Sequence, residues 1–190
     1  MSDAPAPTGP QRVPTGSSAF VLTASDASAA GVRPDTSGSW IAERLRAIGF
    51  DRVETAVLPD DQAGLAAALR AAAATHDVVI TTGGTGLTPR DVTPQATRAI
   101  LDYEVPGLAE AMRAAGRAKT PLADLSRGVV GVAGRALVIN VPGSPRAAME
   151  SLAAIEAVLA HAIETLAGPY DHVRRPLDDA GRPIAPEAGS

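Results

Sequence analysis

Cysteine is missing from all 190 residues. Its absence excludes disulfides, thiolate zinc sites, Cys-ligated iron–sulfur clusters and a cysteine nucleophile, and leaves metals that take oxygen ligands, such as Mg2+. Aromatic residues make up 3% of the chain and the net charge is −4, so neither stacking platforms nor a basic surface favours nucleic-acid binding. Lysine occurs once, at Lys119. A phosphate loop ending in Gly-Lys-Ser/Thr therefore lacks its cation, which disfavours Walker-type NTP hydrolysis. No stretch reaches the roughly 18 uninterrupted apolar residues of a membrane span. Met1 to Ser17 carries Pro, Gly, Ser and Thr where a signal peptide would need an apolar run. The chain reads as soluble and cytoplasmic, and its length suits a single domain.

What is present is an alternation of strand and helix. Residues 1–18 and 168–190 are rich in Pro, Gly and charge, with little apolar periodicity, and read as tails around one domain spanning 19–167. Within it, Phe20 to Thr23 reads as a buried strand, followed by a helix over Ser39 to Ile48 that carries Ile41, Leu45 and Ile48 at helical spacing. The unit repeats as Val53 to Leu58 then Gln62 to Ala74, and as Asp77 to Thr82 then, after a glycine loop, Pro94 to Asp102. Such alternation predicts a mostly parallel sheet with helices on both faces. Pro106 to Ala118 reads as a further helix. Val129 to Ala133 and Ala136 to Val141 form a predicted antiparallel hairpin across Gly134 and Arg135. A final helix over Ser144 to Leu166 places Leu152, Ile155, Leu159, Ile163 and Leu166 on one apolar stripe.

In an open parallel sheet, ligands bind beyond the carboxyl ends of the strands. The strand ends here are polar: Ser25-Asp26, Pro59-Asp60-Asp61, Gly83-Gly84-Thr85-Gly86 and Pro142-Gly143-Ser144. The glycines let backbone N–H groups approach an anion, and Thr93-Pro94 has the pattern of a helix cap followed by proline in the first turn. The loop therefore reads as a phosphate cradle, with Arg90 as its cation or as an ordinary surface arginine. Asp60 and Asp91 are each either a Mg2+ ligand or a local structural group: a turn or helix-cap aspartate at 60, a partner for the neighbouring arginine at 91. Ser144 before Pro145 repeats the cap-and-proline device. The three histidines share no metal-ligand spacing.

The string Thr81 to Pro94, together with Ser25-Asp26, Asp35-Thr36-Ser37-Gly38, Pro59-Asp60, Leu125-Ser126-Arg127 and Asn140-Val141-Pro142-Gly143, resembles the MogA/MoaB family of molybdenum cofactor biosynthesis. The resemblance runs from Ala19 to about Leu166. It implies a three-layer α/β/α sandwich, with a mostly parallel sheet and one antiparallel hairpin, assembled as a homotrimer. The implied activity is adenylyl transfer, in which the terminal phosphate of molybdopterin attacks the α-phosphorus of Mg-ATP to give adenylyl-molybdopterin and pyrophosphate. By the same resemblance, Asp60 and Asp91 are the catalytic and Mg2+-holding acids. Gly83, Gly84, Thr85 and Gly86 bind the pterin phosphate or nucleotide, with Ser126 facing the same pocket and Ser25, Asp26, Arg90, Thr93, Pro142, Gly143 and Ser144 completing the contacts. The product would pass to a molybdenum insertase. A non-catalytic molybdopterin-binding scaffold serving that insertase is the alternative. Two departures from the family pattern are Ala27 after Ser25-Asp26, where relatives often carry Arg or a hydroxyl residue, and Ser144 after Pro-Gly, where many carry Asn or Gln.

Overall fold

A computed structural model describes residues 12–168. Six strands form one sheet in the order β2-β1-β3-β6-β5-β4, namely β1 (Ser18–Ala24), β2 (Arg52–Leu58), β3 (Val78–Thr82), β4 (Tyr103–Glu104), β5 (Val130–Ala133) and β6 (Ala136–Val141). β2, β1, β3 and β6 run parallel, while β5 is antiparallel to both β6 and β4. The hairpin expected across Gly134 and Arg135 is present, with Gly134 at positive φ (60°). β3 and β6 are buried along their whole length, as near-continuous Val/Ile runs require in a sheet covered on both faces.

The helices are α1 (Asp26–Ala29), α2 (Thr36–Ala47), α3 (Gln62–Ala73), α4 (Thr93–Arg98), α5 (Pro106–Arg117) and α6 (Pro145–Ala167). Strand alternation divides the core in two. Val21, Ile80 and Ile139 face α2, α5 and α6, where Ile41, Leu45, Met112, Leu152, Ile155 and Leu159 close one apolar layer. Leu22, Val79 and Val138 face α3 and α4, against Leu65, Leu69 and Ala96. The result is the three-layer α/β/α sandwich, and the stripe on α6 is core down to Ile163, with Leu166 packed at its margin. No helix among the described residues is long and apolar enough to cross a membrane.

Three local readings are corrected. α2 begins at Thr36 rather than near residue 39, because Asp35 caps it by accepting from the Gly38 N–H at 2.9 Å. The helix expected to reach Asp102 stops at Arg98. Ile100 and Leu101 instead turn inward against the second apolar layer, and Tyr103–Glu104 adds an edge strand that no sequence pattern announces. Finally, residues before 19 take part in the fold. Val13 is buried beside Ile48 and Phe50, its N–H donates to Ile48 O (3.4 Å), and Ser17 O accepts from Asp51 N (3.0 Å). This segment closes the core at the end of α2, where burying a valine contributes about 1.5–3 kcal/mol. The remaining parts of the expected tails, 1–11 and 169–190, lie outside the described residues.

The chain leaves β1 by α2 toward β2 on one side, and returns by α3 to β3 on the other side of β1. The connections leaving the carboxyl ends of the neighbouring strands β1 and β3 therefore run to opposite sides of the sheet order, which is where such sheets open a crevice for ligands.

Candidate active site at the glycine loop

The crevice is floored by two backbone turns pressed together. Gly83 follows β3 with φ 94°, and a Cβ there would lie 2.3 Å from Ala24 O at the end of β1. Gly143 follows β6, and a Cβ there would lie 3.0 Å from Gly83 Cα. Thr82 Oγ1 donates to Pro142 O (2.8 Å), fastening the two turns together. The positive φ and the close approach leave no room for a side chain at residue 83.

Two cavities flank this floor. The first, about 460 Å3, is polar and is lined by Thr23, Ser25, Arg33, Asp35, Asp60, Gly83, Gly84, Arg90, Asp91, Gly143 and Ser144 among others. The second, about 280 Å3, is more apolar and is lined by Ala109, Met112, Ala123, Leu125 and Pro142 together with Thr85 and Gly86 of the loop, with Arg113, Ser126, Glu150 and Ser151 among its polar side chains. Ser126 was expected in the same pocket as all four loop residues. The loop instead divides, with Gly83 and Gly84 on the polar side and Thr85, Gly86 and Ser126 on the apolar side.

Within the polar cavity the acids differ in kind. Asp26 and Asp60 bracket each other: Asp26 N donates to Asp60 Oδ2 (3.2 Å) and Asp60 N to Asp26 Oδ1 (3.0 Å). Arg90 donates to Asp26 Oδ2, and this hydrogen bond is the main reason the exposed Asp26 carboxyl sits below its ordinary pKa. Asp26 thus supports the rim without lining the cavity. Asp60 does not cap α3. That task falls to Asp61, which accepts from Gly64 N at 2.7 Å. Asp60 Oδ1 is buried without a hydrogen-bond partner. Burial first, and then the charges of Asp26 and Asp91, raise the Asp60 carboxyl above its ordinary pKa, against the pull of the Asp26 N–H and Arg90.

Asp91 is the opposite case. Burial pushes it up, but Thr88 Oγ1 (2.6 Å), Thr88 N (2.8 Å), the Gly86 N–H and the charge of Arg127 outweigh that and leave its carboxyl below the ordinary value. Its expected alternative partner, Arg90, turns instead to Asp26.

Thr93 does not cap α4. Val92 holds the cap position without a side-chain bond, Thr93 N donates to Gly84 O (3.2 Å), and Thr93 Oγ1 is buried and unpaired. Since its first N–H is used by the loop and the helix is only six residues long, α4 offers no anion site of its own. Ser144 does occupy the cap position of α6, but its hydroxyl makes no capping bond and its residue lines the polar cavity.

Sequence reasoning missed Arg33. It stands in the connection between α1 and α2, its Nη2 donates to Ser25 Oγ (3.3 Å), and it gives the polar cavity a second cation beside Arg90. No local pattern marks it, because only the folding-back of the connection over β1 brings it there. Its place in the cavity also supplies a positive charge that Ala27 does not.

A family model described as a probable molybdopterin binding domain matches residues 20–161. The chain belongs to this family. Among its relatives is the molybdopterin adenylyltransferase of Helicobacter pylori (strain J99), 34% identical over 167 residues, covering 86% of this chain and 95% of that one. The Drosophila melanogaster molybdenum cofactor synthesis protein cinnamon is 36% identical over 82% of this chain, which spans only 26% of that longer protein. Among solved structures, the molybdopterin biosynthesis Mog protein from Mycobacterium ulcerans is 43% identical and superposes with a TM-score of 0.77, covering 82% of this chain and 99% of that one. The expected MogA/MoaB resemblance and α/β fold are thereby established.

Within the glycine loop, Gly84 carries a direct test. A Cβ at residue 84 would lie 2.3 Å from Thr93 Oγ1 and 3.1 Å from Asp60 Oδ1, the two unpaired oxygens, at a φ of 61°. On a nucleotide-binding reading of the polar cavity, Gly84→Ala is expected to weaken that binding by about tenfold or more, with a stability loss of about 1 kcal/mol from the strained backbone. Calorimetric titration with Mg-ATP beside a melting curve checks both, and unchanged affinity would remove Gly84 from the site.

Proposed function

We propose that this chain adenylylates molybdopterin in molybdenum cofactor biosynthesis, consuming Mg-ATP and releasing pyrophosphate. The observation that carries the reading is the pair of cavities meeting at the glycine loop, with Asp60, Asp91, Arg33 and Arg90 on the polar side. The polar cavity takes the nucleotide, its two arginines facing the polyphosphate. The apolar cavity takes the pterin, with Met112 and Leu125 against its ring faces and Arg113, Ser126 and Glu150 available to its polar edge. A phosphate oxygen of molybdopterin then bonds to the α-phosphorus of ATP, the bond from that phosphorus to the α–β bridging oxygen breaks, and pyrophosphate leaves. The names of the adenylyltransferase relatives support this chemistry, which needs mainly positioning and charge neutralisation.

The donor set fits Mg2+. It offers hard carboxylate oxygens, one of them, Asp60 Oδ1, buried and unpaired. Among the described residues no group of three or more ligating side chains is gathered, in keeping with an ion that keeps waters and takes one or two carboxylates plus substrate phosphates. Asp60 and Asp91 would hold it, and when bound it would neutralise polyphosphate charge. Gly83 and Gly84 bring backbone close to the nucleotide, while Thr85, Gly86, Pro142 and Ser126 border the pterin side.

Incubating the purified protein with molybdopterin and Mg-ATP is expected to yield pyrophosphate and an adenylylated pterin in equal amounts. Tight pterin binding with no pyrophosphate would instead favour the alternative of a non-catalytic pterin-binding scaffold. The reading includes a cytoplasmic homotrimer without nucleic-acid or membrane partners. Light scattering at micromolar concentration is expected to give about three times the 19.2 kDa chain mass, and a stable, fully active monomer would reject the trimer.

A further inference from the structure

We propose that Arg127 is a positioning residue for the transfer reaction: it fixes the segment from Thr85 to Asp91, which forms the wall between the two cavities. The proposal rests on the adenylyl-transfer reading of those cavities. Arg127 lies on the connection between a 3-10 turn (Pro121–Leu125) and β5. It donates three times to one loop: its backbone N to Thr85 O (2.9 Å), Nε to Gly86 O (2.6 Å) and Nη2 to Asp91 O (2.5 Å). The first two acceptors sit where the loop borders the apolar cavity, and the third belongs to the acid on the polar cavity.

Between those anchor points the segment has neither helix nor strand, and Leu87, Thr88, Pro89 and Arg90 are exposed. Its own structure is one turn, in which Asp91 N donates to Thr88 O (3.0 Å) and Thr88 N and Oγ1 donate to Asp91 Oδ2. That turn shapes the tip without tying it to the sheet. Two contacts tie it down, the exposed Arg90–Asp26 ion pair at the tip and Arg127 at both ends of the segment; Arg127 lines neither substrate cavity, opening instead on a third cavity with Arg98 and Arg113. Its influence on the reaction therefore passes through the loop. The planar guanidinium serves two carbonyls in fixed directions at once, whereas a lysine ammonium is a flexible point charge. A misplacement of about 1 Å in a catalytic group is enough to lose roughly 10²-fold in rate.

The test compares wild type with Arg127→Lys and Arg127→Gln, measuring kcat, the KM for each substrate, the melting temperature and amide exchange by NMR. Both variants are expected to lose about 10- to 100-fold in kcat, with KM for Mg-ATP changed less than threefold and assays run well below the melting temperature. Exchange at the Thr88 and Asp91 amides is expected to rise more than tenfold while β3 amides stay protected. Wild-type kcat in Arg127→Lys would overturn the proposal by showing that charge alone suffices. Wild-type kcat in Arg127→Gln, or unchanged exchange at Thr88 and Asp91, would overturn it equally. The exchange measurement needs no substrate, so it decides the loop-holding role even if wild type proves not to transfer adenylate.

Discussion

Asp60→Asn is expected to reduce turnover by about 10²–10³-fold while the protein melts at or above the wild-type temperature. The two effects have one origin. Asp60 holds a buried oxygen without a partner, in a place where burial and two neighbouring acids disfavour its charge. A carboxyl whose folded pKa is raised weakens the fold once it ionises, so the gain from asparagine is absent below about pH 4, grows as pH rises through the unfolded and then the folded pKa, and is complete above the latter. The amide keeps an acceptor for the Asp26 N–H. Cap loss does not offset the gain, because Asp61 caps α3. Melting curves at pH 4 and pH 7, set beside turnover per folded molecule, check this. A large drop in melting temperature with activity intact would make Asp60 a structural residue. A buried, unsatisfied charge kept at the expense of stability supports a functional role at that position.

Asp91→Asn should cost a similar factor in turnover and shift stability the other way. The Asp91 carboxyl is held low by Thr88, Gly86 and the charge of Arg127 despite its burial. A group with a depressed folded pKa contributes stability above its unfolded pKa and loses it as pH falls through the folded one. The variant is thus expected to melt below wild type at pH 7, and the gap is expected to close as pH falls below about 4. Wild-type activity in the purified variant would end the catalytic assignment. Taken together, the two substitutions separate a shared loss of chemistry from opposite effects on the fold, which a purely structural pair of aspartates would not produce.

Much of the fold was legible because its signals are local. Val78 to Thr82 and Ala136 to Val141 are apolar runs of strand length, and Ile41, Leu45, Leu152, Ile155 and Leu159 repeat at helical spacing. The edge strand Tyr103–Glu104 was not legible. Two residues carry no period, and they pair only because β5 lies beside them. The caps were half legible: Ser144 occupies its expected position without making the bond, and Thr93 lost its capping role to a buried contact with the glycine loop.

The sequence by itself determined the alternation of strands and helices, the glycine turn after β3 and the set of acids at the strand ends, since each depends on residue type and near neighbours. It also carried the family, through a long motif string in order. Only the tertiary structure decided that the loop parts two cavities rather than lining one, that Ser126 stands on the far side of it from Asp60, and that Arg33 joins Arg90. It alone left Asp60 Oδ1 buried and unpaired, whereas Asp91 is satisfied within its own turn by Thr88. The tertiary outcomes depend on contacts between segments distant in the chain, such as Asp26 with Asp60 and with Arg90, whose geometry is set by how the sheet orders its strands and not by any pattern within one of them.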